Sequence, residues 1–191
     1  MMEIVVALTI MAIMVAVIVP SVKARIDEAV ITTLQTTLDN VLEGIRNYKT
    51  NVTRYPQRLQ QLSIAPNSLV PNDLCGTSLT AALVSKWRGP YISTQIDTTT
   101  SGSSTPRGLS IGDYVANDLL VRSPTASTTP GRVDVVVPNV IQADWQSLND
   151  AVDGTSGTVP ALAANGDDTA GTVRWSSTAK TLYYGMVISG C

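Results

Sequence analysis

The pattern of hydrophobic and polar positions changes near Pro20. From Ile4 to Val19 every position except Thr9 is apolar. After Pro20 the apolar residues recur at three- and four-residue steps as far as Tyr48, which is the period of an amphipathic helix. The pattern predicts one helix of about 50 residues with an apolar first half, an amphipathic second half and a kink at the proline.

A single carboxylate, Glu3, precedes the apolar run. At 1.5 Å per residue the run is roughly 25 Å long, which is near the lower limit for crossing a bilayer core. A carboxylate at this place is costly to bury unless a cation meets it, so Glu3 is a candidate functional residue. The side chains expected to lie in a membrane or a filament core are Ile4, Val5, Val6, Leu8, Ile10, Ile13, Val17 and Ile18.

The apolar run differs from a cleaved secretory signal. A signal peptide has a basic region before its apolar core and a small-residue cleavage site after it, and neither is present here. The first basic residues, Lys23 and Arg25, follow the run, and the amphipathic pattern continues past them without a break. The run is therefore expected to begin the mature protein.

The rest of the chain predicts a globular head. We divide the sequence into a helix, 1–52, and a head, 53–191, which is long enough to bury one core. Together they predict an α+β fold in which an antiparallel sheet packs across the C-terminal half of the long helix. Segments rich in β-branched and aromatic residues predict strands, and two apolar periodic segments predict short helices: strands at 109–111 with 114–115, 119–122, 132–137, 171–176 and 181–188, and helices at 79–87 and 140–152.

Two Ser/Thr/Pro-rich stretches, 97–106 and 123–131, bury little apolar surface and predict exposed loops. Plain loops and O-glycosylated loops both fit this composition. The candidate glycosylation residues are Thr98, Thr99, Ser103 and Thr128.

Composition argues against two classes of function. The chain is 44% hydrophobic and 15% charged with a net charge of −2, and its Lys and Arg residues are scattered singly, so nucleic-acid binding is not expected. Histidine is absent, which excludes the common Ser–His and Cys–His nucleophile pairs and histidine metal sites. A glycine-rich phosphate loop is also missing, so we expect no enzyme.

Glu3, the apolar run, Pro20 and the amphipathic continuation to Tyr48 and Tyr55-Pro56 resemble the type IV pilin family, including the pseudopilins of type II secretion. The resemblance implies a pilin-like fold in which Glu3 neutralises the N-terminal amine of a neighbouring subunit and so sets the register of a filament. By the family's register the chain starts two residues late. Either two mature residues and a leader are missing, or the processing site differs.

Further similarities concern the head. The sequence from Trp87 to Tyr91, with Gly-Pro before the tyrosine, resembles the region before the sheet in major pseudopilins, although an aromatic lid on the core explains it equally. Major pseudopilins often bind calcium in the C-terminal third, which makes Asp150, Asp153, Asp167 and Asp168 candidate ligands. A helix end followed by a turn explains 150–154 more simply, and no metal or other cofactor is expected.

The two cysteines, Cys75 and Cys191, form an even set, which fits one disulfide in an exported protein. Pairing them would link the end of the chain to the region that follows the long helix. Pilins often have a disulfide near the C-terminus, usually over a shorter loop, so Cys75 is an unfamiliar position for one.

These observations predict a major pilin, a structural subunit that polymerises through its apolar helix. The alternatives are a pseudopilin in a short periplasmic filament and a membrane-tethered binding protein. The family implies an inner-membrane monomer in a bacterium or archaeon, a surface filament after assembly, and a prepilin peptidase and a pilus assembly machine as partners. Adhesion, motility, DNA uptake and secretion all remain open as the purpose of the filament.

Overall fold

The computed structural model describes residues 2–67, 71–93, 96, 108–123, 131–154 and 171–188. Within these ranges the side chains of 2, 16–21, 23, 24, 27, 122 and 123 lie outside the description. The described residues form an α+β fold in which one long helix packs by its C-terminal half against a head of short helices and two sheets.

Helix α1 runs from Met2 to Val52. Leu34, Leu38, Ile45 and Tyr48 on this helix are fully buried. Their spacing of four, seven and three residues puts them on one face, so the amphipathic half is held to the head by its apolar side. This half contacts helix and sheet elements of the head alike.

The predicted fold class is wrong. It required a pilin-like fold with a long, kinked apolar N-terminal helix, but no helix within the described residues is both long and apolar enough to cross a membrane. The segment 28–52 carries five charged residues and is too polar for that role.

Nine short elements follow α1. Three are helices, and six are strands that lie within two residues of the segments predicted from β-branched and aromatic content. The predicted helix at 79–87 is shorter in the structure. The elements are α2 (Gln60–Ser63), α3 (Ala81–Val84), β1 (Gly108–Ile111), β2 (Tyr114–Asn117), β3 (Val121–Ser123), β4 (Arg132–Pro138), α4 (Gln142–Val152), β5 (Val173–Ser176) and β6 (Thr181–Val187).

The strands form two antiparallel sheets where the sequence predicted one. β1 and β2 make a hairpin, and the other four strands have the order β3-β4-β6-β5. β4 and β6 pair along their whole length, whereas β3 pairs only with 132–134 of β4. Since β3 has three residues, it is too short to continue the ladder into the hairpin.

The larger sheet faces the core with one side. Val133, Val135, Val173, Leu182 and Tyr184 lie on this side and are buried. Helix α4 closes the core beyond the sheet, where the ring of Trp145 stacks on that of Trp175 with centroids 5.2 Å apart.

Candidate functional site

Residues 3–15 of α1, called the assembly segment from here on, are exposed at every position. The exposed fraction of its large apolar side chains runs from 50% at Ile10 to 67% at Ile13. Because these residues occupy all sides of the helix, no orientation of the helix turns them away from water. A helix that is apolar all round is normally buried in protein or lipid. The assembly segment is therefore a surface that requires a partner. Its exposed large apolar residues are Ile4, Val5, Val6, Leu8, Ile10, Met11, Ile13, Met14 and Val15.

The free energy available from covering this surface is large. Complete burial of a Val, Leu, Ile or Met side chain stabilises by about 1.5 to 3 kcal/mol, so covering all nine large apolar residues would contribute on the order of 10 kcal/mol. Monomeric soluble proteins rarely leave an apolar patch of this size in contact with water. A free-energy gain of this order can exceed the free energy lost when two molecules give up translational and rotational freedom on association.

Glu3 lies in the first turn of α1 and is exposed at the tip of the assembly segment. A carboxylate in the first helical turn interacts favourably with the free backbone N–H groups there. The partner amine expected from the sequence belongs to another molecule. Val17, Ile18 and Pro20 are part of α1, but their side chains lie outside the described residues.

The cysteine and loop predictions are only partly covered by the described residues. Cys75 is in a disulfide, and Cys191, the other cysteine of the sequence, lies outside the described residues. The carboxylate of Asp73 accepts hydrogen bonds from the backbone N–H of Cys75 at 3.0 Å and of Thr77 at 2.8 Å, which fixes the turn that holds this cysteine. All four candidate glycosylation residues, Thr98, Thr99, Ser103 and Thr128, also lie outside.

The calcium candidates do not come together as a site within the described residues. Asp150 is exposed on α4, and Asp153 follows the helix end, while Asp167 and Asp168 lie outside the description. Among the described residues no group of three or more His, Cys, Asp or Glu side chains is placed to hold a metal ion.

Asp153 instead makes hydrogen bonds that link two elements of the head. Its Oδ1 accepts a hydrogen bond from the backbone N–H of Thr172, and its Oδ2 accepts one from that of Val173, both at 2.9 Å. A Cβ on Gly171 would lie 2.4 Å from Oδ2, so only glycine admits the carboxylate here. Asp153 thus joins the end of α4 to the start of β5 through both oxygens of its carboxylate.

A buried charge cluster on the larger sheet escaped the sequence interpretation. Asp134 is fully buried between Arg132 and Arg174, with Arg132 Nε 3.7 Å from Asp134 Oδ1 and the Arg174 guanidinium paired with Oδ2. Gly185 lies directly opposite Asp134 in the register, and a Cβ there would be 1.9 Å from Oδ1. An aspartate between valines in a strand pattern was the available signal for this cluster.

Two tyrosine–aspartate hydrogen bonds join separate elements. The Tyr184 hydroxyl donates to Asp39, which ties β6 to α1, and the Tyr114 hydroxyl donates to Asp144, which ties β2 to α4. Burial, and then the hydrogen bond to Asp144, raises the pKa of Tyr114 to about 12. Both phenols therefore act as neutral donors, and both hydrogen bonds hold separate elements of the fold together.

The aromatic residues that resembled a pseudopilin feature pack as a lid. Trp87 Nε1 donates to the backbone oxygen of Gln61 at 2.9 Å, and its ring meets that of Tyr91 edge-on at 5.7 Å. Tyr91 in turn meets the buried ring of Tyr48 at 5.7 Å. These contacts cover the core between α1 and α3.

A cavity of about 500 Å³ lies beside α3 and is lined mainly by Pro66, Pro71, Leu79, Ala81 and Val84. Its polar lining residues are Asn67 and Ser85, neither of which titrates near neutral pH. A lining of this kind provides no ionisable acid or base. The residues that line this cavity therefore give no support for acid–base catalysis there.

Comparison of the chain with protein-family models, with curated proteins and with solved structures finds no match. Within the described residues, the assembly segment contains nine of the exposed large apolar side chains.

Proposed function

We propose that this protein is a structural subunit whose copies polymerise through the assembly segment into a filament. The observation that carries the proposal is the exposure of every large apolar side chain from Ile4 to Val15 in the described structure. In a polymer, each segment is covered by the segments of neighbouring copies, and the surface is removed from water without a second kind of protein.

A second copy suits the segment for two reasons. Its side chains are apolar on all sides of the helix, so several identical helices can surround each one. Glu3 is the single charged group between residues 3 and 15. A carboxylate at this place favours the arrangement in which a neighbouring amine meets it, so the charge sets the register of the packed helices.

The head then lies on the outside of the polymer. The two Ser/Thr/Pro-rich stretches, 97–106 and 123–131, have the composition of exposed loops. By the resemblance of Glu3 and Pro20 to pilins, a prepilin peptidase and a pilus assembly machine are the proposed partners, and the cell surface is the proposed place of the filament.

The test is assembly of the full chain, purified in detergent and then diluted below the detergent's critical micelle concentration. We expect polymers that sediment and appear as filaments in electron microscopy. Leu8→Lys should abolish them, because a lysine ammonium is costly to bury among apolar helices. Glu3→Gln should reduce assembly while the head stays folded. Thr32→Lys is the matched control, since Thr32 is exposed on α1 beyond the assembly segment.

Three outcomes have distinct meanings. Filaments from the original chain and from Thr32→Lys, with none from Leu8→Lys, would support the proposal. A monomeric original chain would refute it. Normal filaments from Leu8→Lys would show that the polymer forms through another surface.

A further inference from the structure

The charge cluster of Asp134, Arg132 and Arg174 lies on the side of the larger sheet that faces away from the core. Arg132 and Asp134 flank the buried, core-facing Val133 on β4, and successive side chains of a strand point to opposite sides of its sheet. The register of β4, β6 and β5 brings Arg174 to the same outer side. Val187 on this side is 59% exposed, so water reaches this part of the sheet.

The charges of the cluster do not balance. Two guanidiniums face one carboxylate, which gives the cluster a net charge of +1. Within the described residues, no second carboxylate forms an ion pair with either arginine. Arg58 and Asp118, by contrast, form a separate pair of one guanidinium and one carboxylate. The charge cluster is therefore short of one negative charge.

Burial makes this imbalance costly. The side chains of Arg132 and Arg174 are only 13% and 12% exposed, and that of Asp134 is not exposed at all. A charge that leaves water must be offset by an opposite charge or by hydrogen bonds. In the described structure the Nε atoms of both arginines are buried without a hydrogen-bond partner, so the head replaces only part of the lost hydration. An anion beside the exposed part of the two side chains would supply the missing charge.

The sheet itself holds both guanidiniums in place. Arg132 Nη2 donates to the backbone oxygen of Gly171 at 2.8 Å and to that of Gly185 at 3.3 Å, and the Arg174 guanidinium is paired with Asp134 Oδ2. Gly185 has no side chain that would collide with the carboxylate between them. Groups that are fixed in advance lose little conformational freedom when a ligand binds. The planar guanidinium also matches the geometry of carboxylate and phosphate oxygens.

We propose that the charge cluster binds a small oxyanion on the outer side of the larger sheet, in contact with the exposed part of both arginine side chains. The ligand carries a phosphate-type or carboxylate-type group, because the oxygens of such a group accept paired hydrogen bonds from a guanidinium. One group of this kind supplies the negative charge that the cluster lacks. The site belongs to the head alone, so it does not depend on whether the chain polymerises.

The experiment measures the melting temperature of the full chain in a non-ionic detergent near neutral pH, in phosphate, acetate and chloride solutions of equal ionic strength. Phosphate or acetate at about 10 mM should raise the melting temperature by roughly 2 to 4 °C over chloride, as a ligand does when it binds only the folded state. Arg174→Gln should abolish this rise, because the remaining arginine and Asp134 form a neutral pair. Arg58→Gln is the matched control and should keep the rise, since Arg58 belongs to the separate pair with Asp118.

A rise that disappears in Arg174→Gln and persists in Arg58→Gln would support the site, and the more effective anion identifies the class of ligand. A melting temperature that is the same in all three salts would overturn the proposal, because ionic screening alone would then account for any effect of salt. An undiminished rise in Arg174→Gln would also overturn it, since the anion would then act elsewhere on the molecule. Should Arg174→Gln fail to fold, Arg132→Gln takes its place and is interpreted in the same way.

A further variant changes the charge in the opposite direction. Asp134→Asn raises the net charge of the cluster to +2, so phosphate should raise the melting temperature of this variant by more than it does for the original chain. A smaller rise in Asp134→Asn would contradict the proposed site.

Discussion

Replacing Asp153 by alanine tests whether this residue is a metal ligand or a link between α4 and β5. The substitution removes both acceptors that hold the backbone N–H groups of Thr172 and Val173. It also opens space beside Gly171, whose backbone approaches the carboxylate closely. The expected result is a less stable head with its elements in place.

The size of the loss follows from the two contacts. A hydrogen bond to a charged group contributes about 1.5 to 3 kcal/mol. The hydrogen bond from Val173 is half-buried, so we expect it to contribute the full 1.5 to 3 kcal/mol to stability. The hydrogen bond from Thr172 is exposed, so we expect it to contribute only about 1 kcal/mol. Asp153→Ala should therefore destabilise by about 3 kcal/mol, which lowers the melting temperature of a domain of this size by roughly 6 to 12 °C.

The assay is thermal and urea unfolding of the full chain in detergent, with Ca²⁺ and with a chelator. Asp150→Ala is the matched control, because Asp150 is exposed on the same helix and its loss should change the stability by no more than about 0.5 kcal/mol. A link between the elements predicts the same loss for Asp153→Ala in both buffers.

Two results would refute this reasoning. One is a change for Asp153→Ala as small as that for Asp150→Ala, which would mean that the two hydrogen bonds add nothing to stability. The other is a marked rise in melting temperature with Ca²⁺ in the original chain that disappears in Asp153→Ala, because this would show the carboxylate to be a metal ligand after all.

Two further predictions concern the head. The raised pKa of Tyr114, near 12, implies a stability contribution that is complete below pH 10 and is lost as the pH rises through about 12. Because the sequence has six tyrosines, the check is the difference in phenolate absorbance and in unfolding between the original chain and Tyr114→Phe across this range. An ionisation of Tyr114 itself near pH 10 in the folded protein would contradict the prediction. Gly185→Ala should lower the free energy of unfolding in urea by roughly 2 to 4 kcal/mol, because the new methyl group would overlap the carboxylate of Asp134 and the backbone of Val133. A loss below about 1 kcal/mol would show that the side chains of the charge cluster move aside without strain.

Local patterns located most elements of the head. The strands β4 and β6 follow from runs such as Val133-Asp-Val-Val-Val137, because β-branched side chains favour an extended backbone whatever lies beside them. Helix α4 follows from the apolar spacing of Trp145, Leu148 and Val152. These properties depend on near neighbours in the chain, so the sequence alone was sufficient for them.

The apolar run shows the limit of such patterns. Composition identified residues 4–19 as a segment that avoids water, yet hydropathy cannot tell whether lipid, a filament or the core of the same molecule covers it. The predicted membrane-spanning helix was wrong within the described residues, and the tertiary structure instead showed the segment lying clear of the head, because the head closes its core on α1 from Leu34 onward.

The sequence by itself determined the positions of the strands, the amphipathic faces of α1 and α4, the apolar character of the N-terminus and the lack of histidine chemistry. Only the tertiary structure decided that Asp153 accepts hydrogen bonds from the start of β5, that Asp134 pairs with two arginines, and that the strands divide into two sheets. The physical reason is distance along the chain. Asp153 and Val173 are 20 residues apart, and Asp134 and Arg174 are 40 apart, so nothing in the local pattern of either residue specifies the partner that folding brings to it.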